Sequence, residues 1–146
     1  MTTTTSPDPA TLTPGTPVPP WVVRPTTVQL FRFSAVTWNA HRIHYDQSYA
    51  RSEGYPEVLV QSHLHGAFLA EALFRWLGPN LRFREFSWQN KHFASPGDEL
   101  TVTGTVTAVR RDAGVFLIET DLAEHNQDGA LCAPGRAVVL LGTESR

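Results

Sequence analysis

One long segment of the sequence, between residues 62 and 77, carries apolar residues with helical spacing. A single apolar residue or an adjacent pair recurs every four positions, at Leu64, Phe68, Leu69, Ala72, Leu73, Trp76 and Leu77. This spacing places a broad apolar stripe along a helix of 3.6 residues per turn. Ser62 can cap its start, and Gly78-Pro79 stops it. The segment therefore predicts one buried central helix.

After this helix the apolar period changes to two, which indicates half-buried strands. Four strands are predicted, over residues 81–93, 100–108, 115–124 and 130–141. Short polar turns rich in Gly, Asp and Asn separate the last three strands, as in antiparallel hairpins. A change of parity near Glu85-Phe86 predicts a bulge in the first of these strands.

The region before the central helix predicts a strand over 27–37, a turn from Asn39 to His44, and a short helix from Gln47 to Glu53 capped by Asp46. Residues 21–25 and 57–61 are expected to be extended. The whole order is a strand, a short helix, a long apolar helix and four antiparallel strands. A single long helix covered by a curved antiparallel sheet is an α+β arrangement, the layout of a hot dog fold.

Composition limits the other possibilities. The first twenty residues contain seven Thr and six Pro, so residues 1–20 are expected to form a disordered tail and residues 21–146 the folded domain. The tail lacks the pattern of a signal peptide, and no stretch has the length of a membrane span, which favours a cytoplasmic protein. A net charge of −2 with scattered basic residues argues against nucleic-acid and membrane partners. The single cysteine, Cys132, fits a reducing compartment and is expected to be a buried thiol.

The turn from Asn39 to His44 contains the strongest candidates for catalytic residues. His41 and His44 are three residues apart, and a neutral imidazole can accept and return a proton near neutral pH. Without further information, two histidines at a turn more often satisfy buried backbone groups. A metal site that adds His63 and His65 lacks a clear carboxylate ligand, so neither a metal nor another cofactor is predicted.

The sequence LFRFSAVTWNAHRIHYDQSYA, followed by EGYP, resembles the MaoC-like hydratase/dehydratase family. It is most similar to the branch of 3-hydroxyacyl-thioester dehydratases and mesaconyl-CoA hydratase-like proteins. The resemblance continues through SPGDELTVTGTV and EHNQDG, and so covers nearly everything after residue 21. It implies His44 as the catalytic base, with Asn39 at the position of the wider family's Asp, and His41 as a helper. An amide in place of a carboxylate can orient water but cannot take its proton.

The resemblance also implies that the thioester binds at the start of the central helix, at Gln61, Ser62, His63 and Gly66. The family holds the thioester carbonyl oxygen there with backbone N–H groups, and this branch tends to have Gly-Pro where this chain has Ser62-His63. The implied substrate is an enoyl or 3-hydroxyacyl thioester of CoA or acyl carrier protein, and the chain is expected to form a homodimer. Lys91, Arg82 and Arg84 are candidates for contact with the phosphates of the carrier.

Three other functions stay open. A thioesterase of this fold would use a helical carboxylate such as Glu71, although a salt bridge between Glu71 and Arg75 is the simpler expectation. The bulk and the titratable group added by Ser62-His63 fit a tailoring enzyme of secondary metabolism that catalyses elimination or cyclisation. A non-catalytic acyl-thioester-binding subunit would keep the pocket without needing His44.

Overall fold

The computed structural model describes residues 6–142 and shows one antiparallel sheet packed on one long helix. The five strands are β1 (Pro17–Val23), β2 (Arg82–Trp88), β3 (Leu100–Asp112), β4 (Val115–His125) and β5 (Leu131–Gly142). Their order across the sheet is β1-β3-β4-β5-β2, and every neighbouring pair is antiparallel. The predicted α+β layout is confirmed.

Three α-helices complete the fold: α1 (Thr27–Thr37), α2 (Gln47–Ser52) and α3 (Ser62–Leu77). Short 3-10 turns occur at Pro9–Thr11 and Arg42–His44. None of the helices in the part of the chain that the structure describes is long and apolar enough to span a bilayer.

Helix α3 is the predicted central helix. The residues of its apolar stripe are buried, and the helix contacts β1, β3, β4 and β5. It ends at Gly78, which has a φ of 89° and donates its N–H to the carbonyl of Phe74. The predicted cap by Ser62 is wrong, because Gln61 occupies the N-cap position and no side chain caps the helix.

The strands after α3 follow the alternation of the sequence. The predicted bulge is confirmed by a register shift between Phe83 and Glu85, where β2 pairs with β5. Strands β3 and β4 extend to a two-residue turn formed by Ala113 and Gly114, both with positive φ, as a tight hairpin with right-handed strand twist requires. The hairpin strands are therefore longer than the alternation alone predicts.

The predicted disordered tail is wrong for residues 9–20. Pro17–Val23 forms the edge strand β1, and Leu12 and Val18 are only 6% and 1% exposed. Proline is tolerated here because an edge strand needs hydrogen bonds on one side only, and the pairing with β3 shifts register across the prolines between Val18 and Trp21. Residues 1–5 of the predicted tail lie outside the described residues.

The predicted strand over 27–37 is also wrong, because this segment is helix α1. The Thr26 side chain accepts a hydrogen bond from the Gln29 N–H at 3.1 Å and caps the helix. Leu30 and Ser34, one helical turn apart, are the buried residues of α1. Burial of that narrow face against the domain outweighs the preference of the apolar residues for a strand.

Candidate active site

An open pocket of about 510 Å³ lies where the turn after α1, the start of α3 and the segment after β2 meet. Four of the predicted site residues line it, namely Asn39, His44, Ser62 and His63. Tyr55, Leu59 and Val60 contribute to the same wall. The fold thus brings together residues that come from two separate predicted groups, the histidine turn and the helix start.

The imidazole of His44 is buried, and one hydrogen bond determines its tautomer. Its Nδ1 lies 2.8 Å from the carbonyl oxygen of Leu59. A carbonyl oxygen can only accept a hydrogen bond, so Nδ1 carries the proton in this contact. In the neutral ring Nε2 then has a free lone pair, which is the form that a general base needs.

Burial lowers the pKa of His44 below its ordinary value of 6.5. The neighbouring His41 lowers the pKa further, while the hydrogen bond to Leu59 acts in the opposite direction. Burial lowers the pKa because removal from water destabilises the charged imidazolium. His44 is therefore neutral at pH 7 and ready to accept a proton.

The short turn that carries His44 is held from both sides. Leu59 donates its N–H to the carbonyl of Ile43 at 2.9 Å and accepts the hydrogen bond from His44 Nδ1. The backbone of Leu59 therefore holds both Ile43 and His44. Arg42 makes an ion pair of 2.6 Å with Asp46, whose other oxygen caps α2 by accepting the Tyr49 N–H at 3.0 Å. The predicted Asp46 cap is confirmed, and its partners Arg42 and Tyr49 hold the pKa of the Asp46 carboxyl below its usual value.

Asn39 enters the pocket because α1 ends sharply before it. Trp38 adopts a left-handed conformation with φ of 56°, and the Asn39 N–H donates to the carbonyl of Ser34 at 2.9 Å. The Asn39 Oδ1 accepts the His41 N–H at 3.2 Å. With Oδ1 engaged, the Nδ2 hydrogens are the part of the amide that can hold a water or a substrate oxygen.

The first turn of α3 forms the opposite side of the pocket. Among the described residues, no acceptor faces the backbone N–H groups of Ser62 and His63, the first two of a sixteen-residue helix. Such groups carry the partial positive charge of the helix dipole. The Trp88 indole N–H donates to the Ser62 carbonyl at 3.0 Å, and the His63 ring lies edge-on to Trp88. These contacts hold the first turn of α3 in place.

Three predicted site residues lie outside this pocket. His41 is exposed, and its ring packs edge-on against His44 with centroids 5.8 Å apart. Gln61 is fully buried and donates to the Leu30 carbonyl and the Ser34 hydroxyl, which ties α3 to α1. Gly66 packs directly beneath the Trp88 ring. Gln61 and Gly66 make packing and hydrogen-bond contacts inside the fold, and the role of His41 as a helper of His44 stays a prediction.

Residues that the sequence reasoning did not select complete the site. The Leu59 carbonyl orients His44, and no side-chain signal can reveal a backbone acceptor. Asn90, His92 and Phe93, which follow β2, line the pocket together with Lys91. Arg82 and Arg84, the other two phosphate candidates, lie on β2 outside the pocket.

The residues of the alternative functions have other partners. Glu71 lies outside the pocket and makes an ion pair of 2.9 Å with Arg75, as the simpler expectation states. Cys132 is buried, and burial raises the pKa of its thiol to about 11. Within residues 6–142 no cluster of three His, Cys, Asp or Glu residues could hold a metal ion.

Comparison with known proteins places this geometry in a family. Residues 2–96 match the family model for hydroxyacyl-thioester dehydratase type 2. Over 43 residues the chain is 58% identical to mesaconyl-C(4)-CoA hydratase of Chloroflexus aurantiacus, a match that covers 29% of this chain and 15% of that protein. Over 114 residues it is 31% identical to the (R)-specific enoyl-CoA hydratase of Aeromonas caviae, covering 75% of this chain and 81% of the relative.

Solved structures agree with this placement. The (R)-hydratase from A. caviae superposes with a TM-score of 0.80 at 25% identity, covering 88% of this chain and 96% of that one. The predicted hot dog fold and the resemblance to MaoC-like hydratases are thereby confirmed. The chain belongs to the hydroxyacyl-thioester dehydratase type 2 family.

Proposed function

We propose that the chain is a hydro-lyase that adds water reversibly to a 2-enoyl thioester, or removes it from a 3-hydroxyacyl thioester, on CoA or acyl carrier protein. The observation that carries this proposal is the His44–Leu59 hydrogen bond, which leaves Nε2 as the basic nitrogen of a neutral imidazole at the pocket. The names of the relatives, an enoyl-CoA hydratase and a mesaconyl-C(4)-CoA hydratase, support the same reaction class.

In the hydration direction, His44 Nε2 takes a proton from a water molecule held by the Asn39 amide. The water oxygen forms a bond to C3 while the C2–C3 π electrons move toward C2 and the thioester oxygen. The N–H groups of Ser62 and His63 stabilise the negative charge on that oxygen. The imidazolium of His44 then returns the proton to C2, so the ring ends neutral and the net change is the addition of one water.

The experiment that tests this proposal follows the absorbance of a short 2-enoyl-CoA with the native protein and three variants. We expect His44→Ala to lower kcat by about 10²–10⁴, the usual range for loss of a general base. Asn39→Ala should cost about tenfold, the effect of one hydrogen bond. His125→Ala, at the end of β4 and outside the pocket, is the matched control.

Equal, background-level rates in the native protein and His44→Ala would exclude hydration of short enoyl-CoA. Activity on carrier-bound substrates would then be measured with the same variants. Release of free thiol, unaffected by His44→Ala, would indicate a thioesterase instead. A pocket that binds thioesters tightly without turnover in any variant would indicate a binding subunit.

We also infer a homodimer that works in the cytoplasm. Edge strands β1 and β2 each have one neighbour in the sheet, and Phe31 on α1 and Trp38 just after α1 are exposed. Exposed edges and apolar side chains favour pairing with a second copy. Light scattering should give twice the mass of the chain, and a single-chain mass would contradict the dimer.

The lone cysteine fits a reducing compartment, which fractionation of cells would test.

A further inference from the structure

The pocket of about 510 Å³ has basic side chains in its lining. Lys91, His92 and His63 line it, whereas no Asp or Glu is among the described residues that line this pocket. Lys91 is also the only lysine in the sequence. A pocket lined by one ammonium group and no carboxylate favours an anion.

The segment that carries Lys91 is held in place by its backbone. The N–H groups of Lys91 and His92 both donate to the carbonyl of Cys132, at 2.8 and 3.3 Å. The His92 ring stacks on Phe93 with centroids 5.0 Å apart, and Phe93 packs edge-on against Tyr55. The side chains of Lys91 and His92 therefore stand on an ordered strip that runs beside β5.

Lys91 has no carboxylate partner within residues 6–142. Arg24, Arg42, Arg75, Arg110 and Arg136 each form an ion pair, but none of the ion pairs between described residues includes Lys91. An ammonium group without a partner can form charge-assisted hydrogen bonds with an incoming anion at little cost.

We propose that Lys91, supported by His63 and His92, binds a carboxylate on the acyl group of the substrate, so that the preferred thioesters carry an anionic acyl chain. This inference rests on the proposed function of the same pocket and names its substrate class. The phosphates of the carrier are the other possible anion. They lie at the far end of the pantetheine arm, which is longer than a compact pocket of about 510 Å³, while Lys91 shares that pocket with His44.

The first test measures binding without chemistry. Succinyl-CoA and butyryl-CoA have the same carrier and no double bond to hydrate, and they differ in one terminal carboxylate. We expect the native protein to bind succinyl-CoA about ten- to a hundredfold more tightly, the range of a charge-assisted hydrogen bond. Lys91→Gln should abolish the difference, and Lys91→Arg should retain most of it. Arg111→Gln, exposed on β3 and outside the pocket, is the matched control.

Equal affinity for the two thioesters in the native protein would overturn the proposal. Equal weakening of both thioesters by Lys91→Gln would also overturn it, because it would assign Lys91 to the carrier phosphates. The N-acetylcysteamine thioesters of the same acids lack phosphate and should show the same preference for succinyl.

The second test separates this inference from the proposed reaction. Hydration of 2-butenoyl-CoA and of its analogue with a terminal carboxylate is followed with the native protein and Lys91→Gln. We expect Lys91→Gln to lower kcat/KM only for the charged substrate. A binding preference for succinyl-CoA without any hydration would refute the proposed function and leave the anion site. Hydration without a binding preference for succinyl-CoA would support the proposed function and refute the anion site.

Discussion

His65 on α3 and Glu124 on β4 are joined by a hydrogen bond from Nδ1 to Oε1, and both side chains are completely buried. The other polar atoms of the pair, His65 Nε2 and Glu124 Oε2, have no hydrogen-bond partner among the described residues. His65 lies in the first turn of α3, three residues after Ser62. The pair therefore links the helix start to the centre of the sheet.

Removal of one member of this pair should destabilise the protein strongly. We expect Glu124→Ala to lower the free energy of unfolding by about 3–5 kcal/mol, because it leaves a buried polar ring without its partner. Urea unfolding measures the change. Glu99→Ala, which breaks the exposed Arg24 pair, should cost less than about 1 kcal/mol. A double change, His65→Leu with Glu124→Met, should recover stability relative to Glu124→Ala, and a further loss would contradict this account.

The pH dependence of activity should follow His44. Burial lowers the pKa of its imidazole, so the basic form persists at pH values below the ordinary 6.5. We therefore expect kcat/KM to fall on the acid side only below pH 6.5. His41→Gln removes one cause of the lowered pKa and should move this acid limb to higher pH. An acid limb above pH 6.5 in the native protein would contradict the assignment.

The free energy of unfolding should also depend on His44 and should also fall as the pH falls. The folded state disfavours protonation of His44, so the unfolded state binds the proton more readily as the pH falls below 6.5. The contribution of His44 to folding is thus present above pH 6.5 and is lost toward lower pH. Comparison of the native protein and His44→Gln by urea unfolding between pH 5 and pH 8 measures it. Parallel curves for the two proteins would exclude this contribution.

Replacement of Gly66 by alanine should be unfavourable although alanine is the better helix former. A Cβ at this position would lie 2.6 Å from the Trp88 ring, so the indole or the helix must move. We expect Gly66→Ala to lower the free energy of unfolding by about 1–3 kcal/mol, the usual cost of overpacking. Gly142→Ala, where nothing lies within 4 Å of the added Cβ, is the control. A more stable Gly66→Ala protein would refute the close contact.

The thiol of Cys132 should react slowly. With a pKa of about 11, only about one thiol in a thousand is ionised at pH 8. Modification by a thiol reagent should be slow in the native protein and fast in urea. The raised pKa also predicts a loss of stability as the pH rises above 9, because the unfolded thiol ionises first. Equal reaction rates in the folded and unfolded protein would contradict the burial.

The sequence predicts the elements whose apolar residues face one core. Helix α3 and the hairpins have such patterns, and the structure confirms them. Helix α1 was not predictable in this way because Phe31 and Val36 are exposed, so its apolar residues do not mark its buried face. Strand β1 was missed because its prolines signal disorder, although an edge strand accepts them.

The lining of the candidate pocket was predictable where it depends on side chains and not where it depends on the backbone. Asn39 and His44 follow from the motif, whereas the Leu59 carbonyl that orients the imidazole has no side-chain signature. Glu124 did have a signal, since it shares strand parity with the buried Ile118 and Leu122. An acidic residue on the inward face of a strand predicts a buried partner, and His65 is that partner.

The backbone of Leu59 makes two hydrogen bonds, one with Ile43 and one with His44, and these bonds hold His44 in place. Residues 45–58, which include α2, form an excursion whose two ends are joined by the contacts of Leu59 with Ile43 and His44. The Arg42–Asp46 ion pair ties the start of this excursion to the turn, whereas its end, between α2 and Leu59, carries Tyr55 at the pocket. Changes in that end alter the mouth of the pocket while the Leu59 contacts hold the imidazole. The entrance of the pocket can therefore vary while the His44 imidazole keeps its position.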